Sequence, residues 1–172
     1  TLGELTWICL SPSFRQVLGP EGALASLRAS LPPAPAGAAA LAELGLGLPA
    51  ITAPLVDRYV AQMLNLDALG ALAFDKGCYP GQEIIARVHH LGDVKRRLHR
   101  YAASGPAPAL GDAILNAQGT AVGEVVRSAV TAAGAELLAV VEHTAATAPL
   151  TSGGAGLTEL PLPSPPPSGR QR

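Results

Sequence analysis

Cysteine is nearly absent: Cys9 and Cys78 are the only two in 172 residues. Two thiols cannot make a disulfide framework, so a small disulfide-stapled scaffold is excluded and a cytosolic (cytoplasmic) setting is expected. No charged segment leads into an apolar one, so no secretory signal is visible. Aromatic residues are scarce at 3%, with a single Trp, which leaves little for a base-stacking surface. Long apolar runs are missing too. Residues 44–56 are interrupted by Pro49 and Pro54 and stop at Asp57, too short to cross a bilayer. A formal net charge of −1 argues against wholesale attraction to nucleic acid or membrane surfaces. No G-K-[ST] follows Gly77 or Gly81, which excludes a phosphate loop.

What remains is an ordinary chain, 48% hydrophobic and long enough for one domain or two small ones. Residues 5–10 (LTWICL) read as a buried strand, with Cys9 as a small core residue. Leu24, Leu27 and Leu31 recur at helical spacing over residues 21–31, with Pro20 in the first turn. Residues 38–44 predict a short helix closed by Gly45 and Gly47. Residues 57–66 read as a helix or an extended crossing. From Lys95 on, β-rich runs at 96–103, 113–115, 121–128 and 136–143 alternate with turns, which predicts a small antiparallel barrel or sandwich. The Gly-, Ser- and Pro-rich residues 151–172 predict a flexible tail.

The most informative stretch is DKGCYPGQEIIARVHHLGDVKRR, residues 75–97. Tyr79-Pro80-Gly81-Gln82 fits a turn with Pro second and Gly third, where positive φ is tolerated. A helix follows, with Ile84, Val88 and Leu91 on one face, Glu83 and Arg87 as an i,i+4 pair, and Gly92 as a stop. Cys78 thus lies ahead of a helix N-terminus, two residues after Lys76 and beside the bare backbone of Gly77. Such surroundings lower a thiol pKa. On residue physics alone, a small buried hydrophobe accounts for Cys78 equally well.

Lys76-Gly77-Cys78-Tyr79-Pro80-Gly81-Gln82-Glu83, continued by Ala86-Arg87, resembles the K-G-C-[YF]-x-G-Q-E signature of the YgfZ family. That family comprises folate-binding relatives of the glycine-cleavage T-protein, an aminomethyltransferase, linked to iron–sulfur cluster assembly or repair and to tRNA thiomodification. Gln62, Asn65-Leu66 and Leu69 resemble a second family segment, and Gly47 and Pro49 a third. Lys95-Arg96 and Val122-Gly123-Glu124-Val125 resemble the start of its C-terminal barrel and a glycine-containing hairpin. Three positions depart: Glu43 stands where the family has Arg, Ala39 near its Trp and Ala61 at its Pro.

The resemblance implies an α+β fold, the C-terminal part of the aminomethyltransferase-like folate-binding fold. It divides the chain into an αβ portion at 1–72 without the family's N-terminal half, the signature loop and helix at 73–94, a β-barrel at 95–150 and a tail at 151–172. It further implies tetrahydrofolate as cofactor, iron–sulfur proteins or their assembly factors as partners, and contact with tRNA. In that reading Cys78 is the functional thiol and Lys76 its activator, while Gly77, Tyr79, Gly81, Gln82, Glu83 and Arg87 are the signature or folate-binding positions.

Three functions compete. One is a folate-dependent accessory factor for iron–sulfur proteins, with Cys78 handling sulfur, a one-carbon unit or a cluster. The second is a true aminomethyltransferase, disfavoured because that reaction is assisted by a carboxylate rather than a thiol. The third is a non-catalytic interaction module that has lost folate binding. A metal site at Cys78, His89 and His90 finds little support, because adjacent helical histidines point about 100° apart. The basic residues Arg87, Lys95, Arg96, Arg97 and Arg100 read either as a patch for tRNA or a folate polyglutamate tail, or, by preference, as a solvated surface.

Overall fold

The computed structural model describes residues 4–163, apart from Asp75, Asp93, Thr147 and the side chain of Leu91. It divides into two compact units that part after Ala42.

In the first unit, β1 (Thr6–Ser11) and β2 (Phe14–Leu18) pair antiparallel, with Trp7 opposite Val17. The Ser11 hydroxyl accepts from the Phe14 N–H at 3.0 Å and closes the turn. Helix α1 (Glu21–Ala29) follows with Pro20 as its N-cap, in keeping with the leucine spacing. The strand expected at 5–10 is therefore present, but it is not buried. Trp7 is 40% and Ile8 37% exposed, so neither face of the ribbon is covered, and Cys9 is exposed as well. A two-stranded sheet has no second layer of its own to shield alternate residues. The Cys9 thiol instead donates to the Ser11 carbonyl at 3.2 Å.

Helix α2 (Ala38–Gly45) leads into the second unit and buries Leu44. Short 3₁₀ turns follow at Ala53–Leu55 and at Ala61–Leu64, the second within the stretch where the sequence left a helix or a crossing open. Helix α3 (Gln82–Leu91) comes next, and its C-cap is Gly92, as expected. Of the apolar face anticipated, Val88 is half-buried, Ile84 is 56% exposed and the Leu91 side chain lies outside the described residues; Gln82, Ile85 and Ala86 are the other half-buried positions.

The rest is a closed antiparallel barrel. Its strands are β3 (Arg96–Ala103), β4 (Ala113–Leu115), β5 (Ala121–Thr131), β6 (Gly134–Glu142), β7 (Leu150–Ser152) and β8 (Ala155–Leu160), in the order β3-β6-β5-β4-β7-β8. Alternate residues face inward. Tyr101, Ala103, Ile114, Val122, Val125, Ala135, Leu137, Ala139, Val141 and Leu150 form the interior cluster. The opposite alternation is also buried at Leu98, Val126, Leu138 and Val140, because residues 43–66 lie over that outer face. Arg127 reaches the Leu48 carbonyl and pairs with Glu43, Arg58 and Tyr59 bond to Glu124, and the Asn65 amide donates to the Leu98 carbonyl at 2.8 Å. Glu43, the charge reversal relative to the family pattern, thus has a basic partner within the same unit.

The expectation of a flexible tail from residue 151 is corrected. Leu150–Ser152 and Ala155–Leu160 are strands, and β8 pairs with β3 from Arg100 opposite Leu160 to Ala103 opposite Leu157. The barrel therefore extends to Leu160 instead of ending at 150. Residues 164–172 of that expected tail lie outside the described residues. The α+β class with a small antiparallel barrel stands.

Candidate functional site

The signature residues gather on one loop and one helix. Gly81 adopts φ 84° and ψ −2°, the conformation that a type II turn demands at its third position and that glycine supplies without steric cost. The Gln82 N–H donates to the Tyr79 carbonyl at 3.2 Å, and the Gln82 side-chain oxygen accepts from the Tyr79 N–H at 3.3 Å. This reciprocal pair fixes the entry into α3, with Gly81 as N-cap. Cys78 stands three residues ahead of that cap and is exposed, so the buried alternative does not hold. Gly77 has open space where a Cβ would point.

Lys76 is exposed, and its ammonium sits 4.4 Å from the centre of the Tyr79 ring, a cation–π contact. Glu83 and Arg87 are both exposed and, among the described residues, are not paired with each other. A contact invisible in the sequence closes the other end of the loop: Phe74 stacks on His89 with ring centres 3.9 Å apart and planes 18° from parallel. His90 meets His89 edge-on at 4.8 Å. Fifteen positions separate Phe74 from His89, so no local periodicity announces their meeting.

Behind the loop, the Ala61–Leu64 turn acts as a brace. Gln62, 2% exposed, donates its side-chain amide to the Ile85 carbonyl of α3 at 2.8 Å. Asn65, in the left-handed conformation at φ 56°, holds β3 through Leu98. Arg97 bonds both Asp67 carboxylate oxygens at 3.2 and 3.1 Å. The second segment of the resemblance therefore ties the cysteine helix to the barrel.

The barrel offers two open grooves of about 450 and 480 Å³. The first is lined by Arg97, His99, Arg100, His143 and Glu159, with β8 and the residues after it on its far side. Its charges are largely compensated: Arg97 pairs with Asp67, Arg100 with Glu136, and His99 Nδ1 lies 2.8 Å from Glu159. Arg96 likewise pairs with Glu142. Three of the five cations once gathered into one basic patch are thus neutralised locally. Within the barrel, Tyr101 is 1% exposed and its hydroxyl has no hydrogen-bond partner among the described residues. Burial, helped by Glu159, pushes its pKa far up. Tyr59 is raised to about 12 by burial and by its bond to Glu124.

Neither groove is lined by a signature residue. Among the described residues no group of three His, Cys, Asp or Glu is placed to hold a metal ion. No helix among them is long and apolar enough to cross a membrane.

A protein named tRNA-modifying protein YgfZ from Colwellia psychrerythraea is 50% identical over 58 residues, 34% of this chain and 18% of that protein. Its namesake from Aliivibrio fischeri (strain ES114) is 44% identical over 68 residues, 39% of this chain and 21% of the relative. A third, from Yersinia enterocolitica, is 38% identical over 71 residues, 41% of this chain and 22% of the relative. A stretch of the chain is thus similar to these YgfZ proteins. The match covers about a fifth of the length of these YgfZ proteins, from 18% to 22%. No family model matches the chain.

Proposed function

We propose that this chain is the thiol-bearing part of a YgfZ-type factor acting in tRNA modification, with Cys78 as its reactive group. The observation that carries the reading is the exposed sulfur, held on a loop whose entry into α3 follows the signature's Tyr-Pro-Gly-Gln turn. The relatives' shared name, tRNA-modifying protein YgfZ, supplies the process. Lys76 contributes positive potential to the loop, Gly77 keeps the backbone beside the thiol uncovered, and Tyr79, Gly81 and Gln82 fix the turn. Glu83 and Arg87 set the charge of the exposed helix face. In this reading the exposed Cys78 thiol serves as nucleophile or ligand. Iron–sulfur proteins or their assembly factors are the proposed clients. Tetrahydrofolate belongs to the same proposal as a ligand, tested by direct titration.

The test is alkylation by iodoacetamide at pH 7 in a Cys9→Ser background, which leaves Cys78 as the only thiol. Cys78 is expected to react faster than free cysteine, and Lys76→Gln to slow it by about twofold, the scale of an exposed charge contact. A rate no faster than free cysteine defeats the reading. In cells lacking the gene, the intact chain should restore tRNA thiomodification and Cys78→Ser should not.

A further inference from the structure

The chain's ten ring-bearing side chains are two Phe, three Tyr, one Trp and four His, and four of them fall within residues 74–90. In a chain this poor in aromatics, that is a local concentration, and three of the four rings touch. Phe74 stacks on His89, and His90 abuts His89 edge-on. Tyr79 holds the Lys76 ammonium over its face. Phe74 is 37% exposed, and both histidines are exposed.

The charges differ from those of the barrel. Arg96, Arg97, Arg100 and Arg127 each have a carboxylate partner. Lys76, Arg87 and Lys95 are exposed and, among the described residues, make no ion pair. Helix α3 carries one acid, Glu83, against Arg87 and two histidines. Exposed rings, with cations nearby in sequence that make no ion pair among the described residues, suit single-stranded nucleic acid, whose bases extend a stack while phosphates meet the ammonium and guanidinium groups.

We propose that the Phe74–His89 stack, with Lys76 and Arg87, is a docking surface for unpaired RNA nucleotides beside Cys78. This rests on the tRNA-modification reading above and gives it a place and a mode: a base continues the Phe74–His89 stack, and the flanking phosphates lie against Lys76 and Arg87. The occupant is an RNA loop rather than a duplex, because paired bases present no free face to a ring.

The test is fluorescence anisotropy of the whole chain with a fluorescein-labelled RNA stem-loop carrying an unpaired seven-nucleotide (~7) loop, compared with a fully paired duplex of equal length. The stem-loop is expected to bind more tightly. Phe74→Ala should weaken it about fivefold or more, the effect of losing one stacked base. Arg87→Gln should reduce the slope of log affinity against log salt by about 0.7, one phosphate contact on a single strand. Thermal melting by circular dichroism verifies that each variant folds, and Phe74→Leu, which keeps apolar bulk without the ring, replaces Phe74→Ala if that does not. Equal affinity for duplex and stem-loop, or folded variants that bind like the parent, overturns the proposal. So does capture of a polyglutamate peptide by the same residues with no RNA binding. The thiol reading is scored separately by alkylation without RNA. A fast thiol with no RNA binding sinks only the docking surface, whereas a slow thiol with intact binding sinks only the reactive cysteine.

Discussion

Gly123 of β5 lies so close to β6 that a Cβ there would stand 2.5 Å from the Val140 carbonyl oxygen and 2.9 Å from a Val141 methyl. Backbone on the far side cannot swing away as a side chain could, so Gly123→Ala should destabilise the barrel by about 1–3 kcal/mol, read as a lower urea midpoint. Tyr101 predicts the opposite sign. Its hydroxyl is buried without a partner among the described residues, and Tyr101→Phe removes a desolvated polar group while leaving the ring in place. The variant is expected to be as stable as the parent or about 1 kcal/mol more stable; a loss above that would mean the hydroxyl has a partner in solution. The two raised tyrosines also set a pH dependence. In the folded state Tyr59 holds its proton to about pH 12, against 10.0 ordinarily, so its contribution is complete below pH 10 and is lost as pH rises towards 12. Urea midpoints should fall across that window, and Tyr59→Phe should flatten the fall. An unchanged slope in that variant would refute the assignment.

Among the elements, the Ala61–Leu64 turn does the joining, with Gln62 bonded to α3 and Asn65 to β3. Asn65→Ala loses the bond to Leu98 and places a Cβ residue without a local hydrogen-bonding side chain at φ 56°. A cost of about 2–3 kcal/mol is expected, combining the bond with the left-handed strain, whereas Asn65→Gly should keep only the first part. Equal melting of the two variants would discount the strain. These braces were legible only as a quoted family segment, since a side chain bonding to carbonyls over twenty or more positions away leaves no periodic trace. The strands β3 and β4 were legible to the residue, because their β-rich runs are bounded by turn residues. The type II turn at Gly81 was legible too, since Pro-Gly dictates its geometry locally. Cys9 and Ile84 were misjudged for one reason: periodicity tells which residues share a face, but not whether another layer covers it.

For the molecule as a whole, the largest discrepancy is the closing hairpin of the barrel. Composition marked Thr151 onward as a flexible tail, yet Gly153 and Gly154, at φ 56° and 83°, form the two-residue turn between β7 and β8. Two consecutive positive φ values are what a type I′ hairpin requires, so the Gly-Gly pair between two β-capable runs was itself the missed signal. This hairpin seals the barrel: β8 pairs with β3 and β7 pairs with β4. Truncation after Pro149 would remove the Leu150 side chain from the interior cluster and leave the free edges of β3 and β4 open to solvent and to other chains. Truncation after Pro163 keeps both strands. The shorter chain is expected to lose its cooperative thermal transition and aggregate, while the longer one melts like the parent. Since β3 also anchors the Asn65 brace, and Gln62 in that same turn holds α3, opening the barrel should loosen the Cys78 loop as well. Faster hydrogen exchange at residues 82–91 in the shorter chain, measured before it aggregates, would establish that link, and unchanged exchange there would show that α3 and its loop stand independently of barrel closure.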